Sequence, residues 1–297
     1  MNTSTIVVTG ANGFVGSHTC AALNERGARV RAVVRRGGTA PQLPNVEEWA
    51  GDFHDPAFAD ELCAGADAVI NTVHPMRDAS LEDQAAHWAE TLARAAHHNG
   101  VPLFVQVSTT SVYRREADSG DVGEDSPLVD DTARPYATTK RDADLALSGV
   151  EGITRVLIRP TAILGPGESS IWNTLRPAAL RDEASARVED PDRTFGWVHV
   201  SDLAELIADI ATGAIPRADD PDEGPVPGAA TAVNAVSGNQ TWRDYLGPVC
   251  EALGVSPEWE TRPAFRAELR AERARAWGWQ PKVSFDEAMR ELLSGLG

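Results

Sequence analysis

Cysteines are few, and their positions fit neither a disulfide framework nor a metal site. The 297-residue chain has three of them, Cys20, Cys63 and Cys250, an odd number without the close spacing of metal ligands. This usage is typical of reduced thiols in a cytoplasmic protein, and no cluster of His, Cys and Asp has zinc-type spacing. We therefore expect a cytoplasmic chain that binds no metal.

Positive charge is also scarce. The sequence has 27 Lys and Arg against 44 Asp and Glu, which gives a formal net charge of −17. An acidic surface repels phosphate backbones and anionic lipid, so this balance argues against nucleic-acid and membrane-surface binding. It does not exclude a small anionic ligand, because a local basic pocket can override the overall field.

Long apolar runs are absent as well. No stretch approaches the ~20 residues needed to span a bilayer. The first ten residues lack the basic segment of a signal peptide and lead straight into a strand-like run. The sequence therefore predicts neither a membrane anchor nor a secretion signal.

The overall composition is that of a globular protein, 42% hydrophobic and 24% charged, which excludes wholesale disorder, collagen-like repeats and coiled coil. Short β-branched runs alternate with amphipathic segments through the first half. This alternation predicts an α/β fold, a Rossmann-type, doubly wound parallel sheet. The predicted strands are 6–8, 29–34, 67–73, 103–107 and 154–158, and the predicted helices are 14–26, 81–98 and 135–147.

The pattern loosens after about residue 165 into shorter elements. We therefore expect a dinucleotide-binding domain over 1–165 and a small C-terminal α/β substrate lobe over 166–297. Strand-like sequence near 195–215 and 230–237 is expected to return to the first domain, so the two units interleave. Acidic, proline-containing stretches at 116–131 and 216–227 are typical of surface loops.

A glycine-rich turn follows the first predicted strand. Gly10, Gly13 and Gly16 have the spacing that allows a tight turn, close approach of the backbone to a pyrophosphate, and close packing of the next helix. This context predicts a dinucleotide site, with contacts from Gly10, Asn12, Gly13, Phe14, Val15 and Gly16.

Two arginines, Arg35 and Arg36, end the second strand, where an acid usually binds the ribose hydroxyls of NAD. Guanidinium groups suit a 2′-phosphate, so we expect NADP(H) in preference to NAD(H). The alternative is that both are solvated residues that stack on adenine without discriminating. Asp52 and Phe53 follow the third strand, and we expect them at the adenine unless Asp52 is a simple turn residue.

Tyr136 and Lys140 are four residues apart at the start of a predicted helix, and therefore on one face. A tyrosine has a pKa of ~10, and a neighbouring ammonium group favours its phenolate. Hydroxyls at Thr109, Thr110 and Ser111 end an upstream strand, at the sheet edge where ligands of such folds bind. Together they predict an acid/base site acting on a substrate oxygen.

The chain resembles the extended short-chain dehydrogenase/reductase family, also called the NAD-dependent epimerase/dehydratase family. The likeness covers nearly the whole sequence and lies in these segments: TGANGFVG at 9–16, Gly51-Asp52, VSTTSVY at 107–113, YATTK at 136–140, RPTAILGPG at 159–167, WVHVSDLA at 197–204 and WGWQPKVSFDEAM at 277–289.

The resemblance implies roles for individual residues. Tyr136 would be the general acid/base, Lys140 would bind the nicotinamide ribose, and Thr109 would be the hydroxyl partner, with Ser108 as the fallback. It also implies a homodimer formed through helices 81–98 and 135–147. Residues implied near the nicotinamide are Thr72, Val73, Pro160 and Ile163.

The chain departs from the family at several positions. His74 stands where a small apolar residue is common, so it is a candidate substrate contact or a polar lining group. Many family members have an Asn in this helix, but residues 86–88 of this chain contain none. A water relay through that Asn, as in the family, therefore has no support here. Phe195 stands where sugar-nucleotide enzymes often have Arg, although Arg193 is close by. Candidate walls of the substrate cleft are Trp172 and Trp197, unless these indoles only pack the lobe.

Three functions fit the sequence. The first is an NADP(H)-dependent oxidoreductase acting on a carbonyl or secondary alcohol. The second is a sugar-nucleotide epimerase or dehydratase that uses its cofactor transiently. The third is a non-enzymatic NADP(H) sensor, for which the pairing of Tyr136 with Lys140 would have no purpose. Specificity lies in the divergent second lobe, so the sequence does not identify the substrate.

Overall fold

A seven-stranded, entirely parallel sheet forms the centre of the computed structural model, which describes residues 3–74 and 84–296. The strand order is β3-β2-β1-β4-β5-β6-β10. The strands are β1 Thr5–Thr9, β2 Arg29–Val34, β3 Val46–Ala50, β4 Ala68–Asn71, β5 Leu103–Val107, β6 Thr154–Pro160 and β10 Ala230–Ala235.

Helices cover both faces of this sheet, as alternating burial along β1 illustrates. Ile6 and Val8 point to one apolar core and Val7 points to the other. The helices are α1 Phe14–Glu25, α2 Pro56–Cys63, α3 Ala85–His98, α4 Pro135–Ser148, α5 Arg176–Asp182, α6 Val200–Thr212, α7 Trp242–Ala252, α8 Glu272–Ala276 and α9 Phe285–Ser294. The doubly wound sheet predicted from the sequence is confirmed.

The strand order reverses at β1. The chain runs from β1 outward to β3 on one side, and from β4 outward to β6 on the other. A crevice between the carboxyl ends of β1 and β4 is the position where open α/β sheets bind ligands. The residues that follow these strands therefore occupy the same edge of the sheet.

A smaller sheet of order β11-β9-β7 carries a separate apolar core. Its strands are β7 Ala162–Leu164, β9 Thr194–His199 and β11 Gly238–Thr241, while β8 Val188–Glu189 pairs with β12 Glu258–Trp259. α6 packs against α1, and β10 joins the main sheet beside β6. The C-terminal half is thus interleaved, but β9 belongs to the small sheet and does not return to the main one.

Most element boundaries fall within a few residues of those predicted. The strand predicted at 67–73 is shorter, Ala68–Asn71, because the backbone turns away at Thr72. The helix predicted at 81–98 begins at Ala85, and residues 81–83 lie outside the described residues. In the described ranges no helix is both long and apolar enough to cross a membrane.

Candidate active site

The turn between β1 and α1 requires glycine at two positions. Gly10 has φ +68°, in the left-handed region, and its carbonyl accepts the Gly13 N–H at 2.8 Å. A Cβ on Gly16 would collide with that same carbonyl. The helix therefore packs directly against the turn, as the spacing of the three glycines predicted.

The amino end of α1 is open for an anion. Gly13 is its N-cap, no side chain caps the first turn, and the first turn carries no acid. Backbone N–H groups at such an end favour phosphate. Phe14 lies against the Gly167 loop, where an added Cβ would be 3.0 Å from its ring. The turn and the open helix end fit the pyrophosphate of a dinucleotide.

Thr72 and Val73 support this turn from the end of β4. The Thr72 hydroxyl donates to the Thr9 carbonyl at 2.7 Å. A Cβ added to Gly10 would lie 2.8 Å from Thr72 Oγ1 and 3.1 Å from Val73 Cγ2. Both residues therefore border the expected cofactor path, as proposed from the resemblance.

Arg35 and Arg36 are exposed at the end of β2. Within the described ranges neither guanidinium has a carboxylate within 4 Å. The loop that follows is held by Glu48, whose carboxylate accepts the N–H groups of Gly38, Thr39 and Ala40 at 2.7–3.0 Å. These hydrogen bonds lower the pKa of the Glu48 carboxyl. Sequence reasoning did not identify Glu48, because its hydrogen bonds depend on how the loop at residues 38–40 folds toward β3.

Asp52 pairs with its neighbour His54. Its Oδ1 accepts the backbone N–H of His54 at 3.0 Å and lies 2.8 Å from Nδ1 of that imidazole. The imidazole stacks on Trp88, with 4.0 Å between ring centroids. Phe53 is buried in the core beneath. Asp52 therefore forms a turn and keeps an exposed carboxylate, and its contact with adenine stays a prediction.

The hydroxyls after β5 have different roles. Thr109 N-caps a short 3-10 helix, Thr110–Val112, because its Oγ1 accepts the Ser111 N–H at 3.1 Å. Thr110 is buried, and its hydroxyl donates to the Pro160 carbonyl at 3.3 Å. Ser108 is buried beside the Asp144 carboxyl and lowers its pKa. Thr109 is therefore the hydroxyl directed to Tyr136, in preference to Ser108.

Tyr136 and Lys140 lie on one face of α4, which begins with Pro135 in its first turn. Tyr136 is 39% exposed, and its pKa is raised by burial of the hydroxyl and lowered by a hydrogen bond with Thr109. The raised pKa differs from the expected shift toward the phenolate, because burial outweighs the favourable contacts. Acid/base chemistry is still available to this hydroxyl.

Lys140 is fully enclosed at the same edge of the sheet. Its Nζ donates to the Val107 carbonyl at 3.0 Å. Burial lowers the pKa of the Lys140 ammonium to about 8, although the nearby Asp144 carboxylate raises it. A lysine with this pKa is partly neutral at mildly alkaline pH.

A buried polar chain extends from Asp144, whose carboxylate raises the pKa of Lys140, to the edge strand β10. Arg159 Nε donates to Asp144 Oδ2 at 2.9 Å, and its Nη1 donates to the Tyr113 hydroxyl at 2.7 Å. That hydroxyl donates to Asn234 Oδ1 at 2.9 Å. Burial raises the pKa of Asp144, while Arg159 lowers it. Sequence reasoning missed this chain because its members come from four distant segments.

His74 follows β4 and meets Tyr136. Their ring centroids are 5.1 Å apart, and the planes are nearly perpendicular. Burial and the Lys140 ammonium lower the pKa of His74 to about 3, so the imidazole is neutral. Its Nε2 has no hydrogen-bond partner within the described part of the chain. The predicted substrate contact thus faces the candidate acid/base residue.

Of the two tryptophans expected on the cleft wall, Trp197 is in the core of the small lobe and Trp172 is partly buried against that core. Trp197 is 2% exposed, packs on Phe285, and its Nε1 donates to Gln240. Trp172 packs edge-on against Phe195 and Tyr245. Trp197 therefore fills the space between the small sheet and its helices, and the expectation that it lines the cleft is corrected. Trp172 keeps part of its surface exposed, and its place on the cleft wall stays a prediction.

Ser111, Ile163 and Pro160 lie at the carboxyl edge, where they were expected. Ser111 and Ile163 are partly accessible, whereas Pro160 is buried at the end of β6. Across residues 3–74 and 84–296, no group of three or more His, Cys, Asp or Glu side chains is arranged to hold a metal ion.

Comparison with known sequences gives the same family as the sequence motifs. The model of the NAD dependent epimerase/dehydratase family matches residues 6–216. A 3 beta-hydroxysteroid dehydrogenase/Delta 5→4-isomerase of Mycobacterium tuberculosis is 27% identical over 289 residues, 93% of this chain and 75% of that protein. A 2-alkyl-3-oxoalkanoate reductase of Stenotrophomonas maltophilia is 26% identical over 326 residues, 97% and 98% of the two chains.

Solved structures share the fold. The dTDP-glucose 4,6-dehydratase DesIV from Streptomyces venezuelae, crystallised with NAD, superposes with a TM-score of 0.76 and 22% identity. The match covers 98% of this chain and 96% of DesIV. This likeness extends over both lobes, so the interleaved second half is part of the shared architecture.

Proposed function

Since the chain belongs to the NAD-dependent epimerase/dehydratase family, we propose that it is an NADP(H)-dependent oxidoreductase that interconverts a carbonyl and a secondary alcohol. The main support is one juxtaposition. The Thr109 hydroxyl lies near the Tyr136 phenol and acts to lower its pKa, and the buried Lys140 is one helical turn away. Catalysis of this kind needs a positioned proton donor beside the reacting oxygen.

The roles of the three residues follow from their surroundings. Tyr136 would donate its hydroxyl proton to the carbonyl oxygen during reduction and accept a proton during oxidation. Thr109 would hydrogen-bond the same substrate oxygen, since its hydroxyl hydrogen is not used in capping the 3-10 helix. Lys140 would bind the cofactor ribose, and its charge would favour the phenolate. The nicotinamide supplies or accepts the hydride when bound.

The cofactor preference rests on Arg35 and Arg36. Both are exposed, and neither is paired with a carboxylate in the described ranges, so they are available to a 2′-phosphate. The Glu48 carboxylate accepts three backbone N–H groups of the adjoining loop and thereby fixes its course. Several structural relatives were crystallised with NAD, so the proposed preference for NADP(H) rests only on Arg35 and Arg36 of this chain.

The reductase and dehydrogenase names of the sequence relatives support net redox chemistry. The side chains at Thr109, Thr110 and Ser111 also favour redox chemistry over dehydration. A dehydratase needs a further acid to protonate the departing hydroxyl group, and these three residues carry hydroxyls and no carboxyl.

Cofactor consumption tests the proposal. The purified protein is incubated with NADPH or NADH and a panel of aliphatic, cyclic and acid-bearing ketones, and NADPH oxidation is followed by absorbance. We expect stoichiometric NADPH consumption with one ketone class, and loss of that turnover in Tyr136→Phe. An altered sugar nucleotide without net cofactor change would identify an epimerase or dehydratase. Tight NADPH binding with turnover insensitive to Tyr136→Phe would contradict the proposed chemistry.

We also propose that the protein is a homodimer formed through α3 and α4. These helices pack on each other along one side of the sheet. Ala137 and Ala143 are buried within the protomer, whereas Leu145 is 54% exposed on α4. The proposal rests on the resemblance to the family, and Leu145 is an apolar position of α4 that such a contact would cover.

A further inference from the structure

Ile171 and Leu175 are large apolar side chains that the folded protein leaves exposed. They are 40% and 37% exposed, on the π-helical turn Ile171–Leu175 that leads into α5. The Leu175 N–H donates to the Ser170 carbonyl at 3.0 Å, and the Arg176 N–H donates to the Ile171 carbonyl. Residues four apart lie close to one face of such a turn. The two side chains therefore form one apolar surface, the 171/175 face.

The side chains between them are engaged by the protein itself. Trp172 packs edge-on against Phe195 and Tyr245 of the small-lobe core, and its carbonyl accepts the Tyr245 hydroxyl at 2.8 Å. Asn173 Oδ1 accepts the Gly165 N–H at 2.9 Å. The lobe core thus takes the aromatic residue of the turn and leaves the two aliphatic residues outside.

Short contacts on both sides hold this turn at the candidate active site. The Thr174 hydroxyl donates to the Gly167 carbonyl at 2.7 Å. A Cβ added to Gly167 would lie 3.0 Å from the ring of Phe14, the first residue of α1. In the other direction β7 leads back to Pro160, whose carbonyl accepts the Thr110 hydroxyl at 3.3 Å. The 171/175 face therefore belongs to the same edge of the sheet as the glycine-rich turn and the hydroxyls after β5.

An apolar surface beside a cleft is stabilised when an apolar group covers it, because both lose contact with water. Small-molecule sites are lined mostly by such side chains, and a few polar groups fix the orientation of the ligand. The polar groups at this edge are the hydroxyls of Thr109 and Tyr136. The 171/175 face supplies aliphatic surface on the small-lobe side.

We propose that the 171/175 face binds an apolar chain of the substrate, so that the substrate is a ketone or secondary alcohol with an alkyl chain or a comparably apolar skeleton. This inference rests on the proposed function, since it names the substrate class of the same cleft. Continuity with the catalytic edge selects a substrate over a second copy of the chain. The proposed contact between copies lies on α3 and α4, whereas this turn is attached to β7 and to the start of α1.

Ketones of increasing length test the face without turnover. The probes are methyl propyl, methyl pentyl and methyl heptyl ketone, and an analogue of the last in which two CH₂ groups of the chain are replaced by ether oxygens. Each is titrated by calorimetry into the protein saturated with the oxidised cofactor, NADP⁺ or NAD⁺, whichever binds more tightly, because the oxidised form cannot reduce a ketone.

Affinity should follow the apolar surface of the probe. Each CH₂ that the face buries should strengthen binding about three- to fourfold, so affinity should rise about tenfold from one ketone to the next. The ether analogue should bind at least about tenfold more weakly than methyl heptyl ketone. This series uses the wild-type protein and therefore does not depend on the folding of any variant.

Two double variants at these positions provide a matched comparison. Ile171→Thr/Leu175→Asn makes the face polar with little change in volume, and Ile171→Val/Leu175→Met keeps it apolar. The polar variant should lose the dependence on chain length and bind methyl heptyl ketone at least about tenfold more weakly. The apolar variant should keep both within about threefold. Unchanged affinity for the oxidised cofactor shows that each variant is folded.

The outcomes separate this inference from the proposed function. Equal affinity of the three ketones for the wild-type protein would overturn the apolar site, as would the same dependence on chain length in both double variants. Loss of a dimer in the polar variant, without any dependence on chain length in the wild-type protein, would assign the face to a second copy and also overturn it. Reduction of short and long ketones with equal kcat/KM would overturn it and leave the oxidoreductase standing. Binding that depends on chain length in a protein that reduces no ketone would support the site and contradict the oxidoreductase.

Discussion

The edge of the His74 ring lies against Tyr136, with 5.1 Å between the ring centroids and 78° between the planes. The Thr109 hydroxyl lies near the same phenol and acts to lower its pKa. A neutral imidazole with an unused ring nitrogen therefore borders the group proposed to exchange a proton with the substrate. This arrangement gives His74 a role that can be tested separately from that of the acid/base residue.

His74→Phe retains an aromatic ring beside Tyr136 but removes both ring nitrogens. If the imidazole hydrogen-bonds the substrate, kcat/KM should fall about three- to tenfold, the usual worth of a neutral hydrogen bond. NADPH affinity should be unchanged, because the substitution leaves the glycine-rich turn intact. Steady-state kinetics and fluorescence titration of NADPH measure the two quantities. Unaltered kcat/KM on the true substrate would show that His74 only packs the cleft.

The proposed catalytic residues should differ in the severity of their loss. Tyr136→Phe removes only the hydroxyl, so the chemical step should slow by ~10²–10⁴ while NADP(H) affinity survives. Lys140→Arg replaces a compact ammonium with a rigid fork, so rate and cofactor affinity should fall together. Thr109→Val should be intermediate. Single-turnover kinetics give the order, and near-wild-type turnover in Tyr136→Phe would refute the mechanism.

The lowered pKa of Lys140 predicts a pH dependence. As pH rises through about 8, the ammonium loses its proton and its attraction for the cofactor ribose, so NADPH affinity should fall above pH 8. Asp144→Asn removes the neighbouring carboxylate that raises this pKa, so the fall should begin at lower pH. It also leaves Arg159 buried without its partner, which should cost about 3–5 kcal/mol of unfolding free energy. Identical pH profiles for the two proteins would exclude this coupling.

Arg35 and Arg36 should determine the choice of cofactor. The double variant Arg35→Gln/Arg36→Gln should lose ~1–3 kcal/mol of NADPH binding and retain its affinity for NADH. Arg29→Gln, at the opposite end of β2, is the control for a change of net charge. Calorimetry gives both affinities. Equal binding of NAD⁺ and NADP⁺ to the wild-type protein would contradict the preference.

The dimer should be visible in sedimentation. A homodimer of the 31.7 kDa chain should be present at micromolar concentration, and Leu145→Glu should convert it to monomer by placing a charge on the exposed apolar position of α4. Leu175→Glu alters an exposed leucine outside α3 and α4 and should leave the oligomeric state unchanged. A monomeric wild-type protein would count against the α3 and α4 interface.

The hydrophobic pattern predicted the helices and strands. Residue spacing predicted the groups of residues that lie close together in the sequence. The three glycines lie in one turn, and Tyr136 and Lys140 share one helix face, so spacing along the chain was sufficient. Glu48 was missed because its contacts depend on the course of the loop at residues 38–40, and His54 was missed because its stacking partner Trp88 lies on a distant helix. Trp197 was misassigned because an aromatic residue near a cleft has the same sequence signature whether it faces ligand or core.

The polar chain that begins at Asp144, beside Lys140, reaches Asn234 on an edge strand that comes more than two thirds of the way along the sequence. During synthesis the glycine-rich turn and α4 leave the ribosome long before this strand does. Asn234, which accepts a hydrogen bond from the Tyr113 hydroxyl, is therefore supplied late. A nascent chain that stops before residue 234 would carry the glycine-rich turn but would leave the Tyr113 hydroxyl without this partner, so the buried polar chain beside Lys140 would be completed only once β10 has been made.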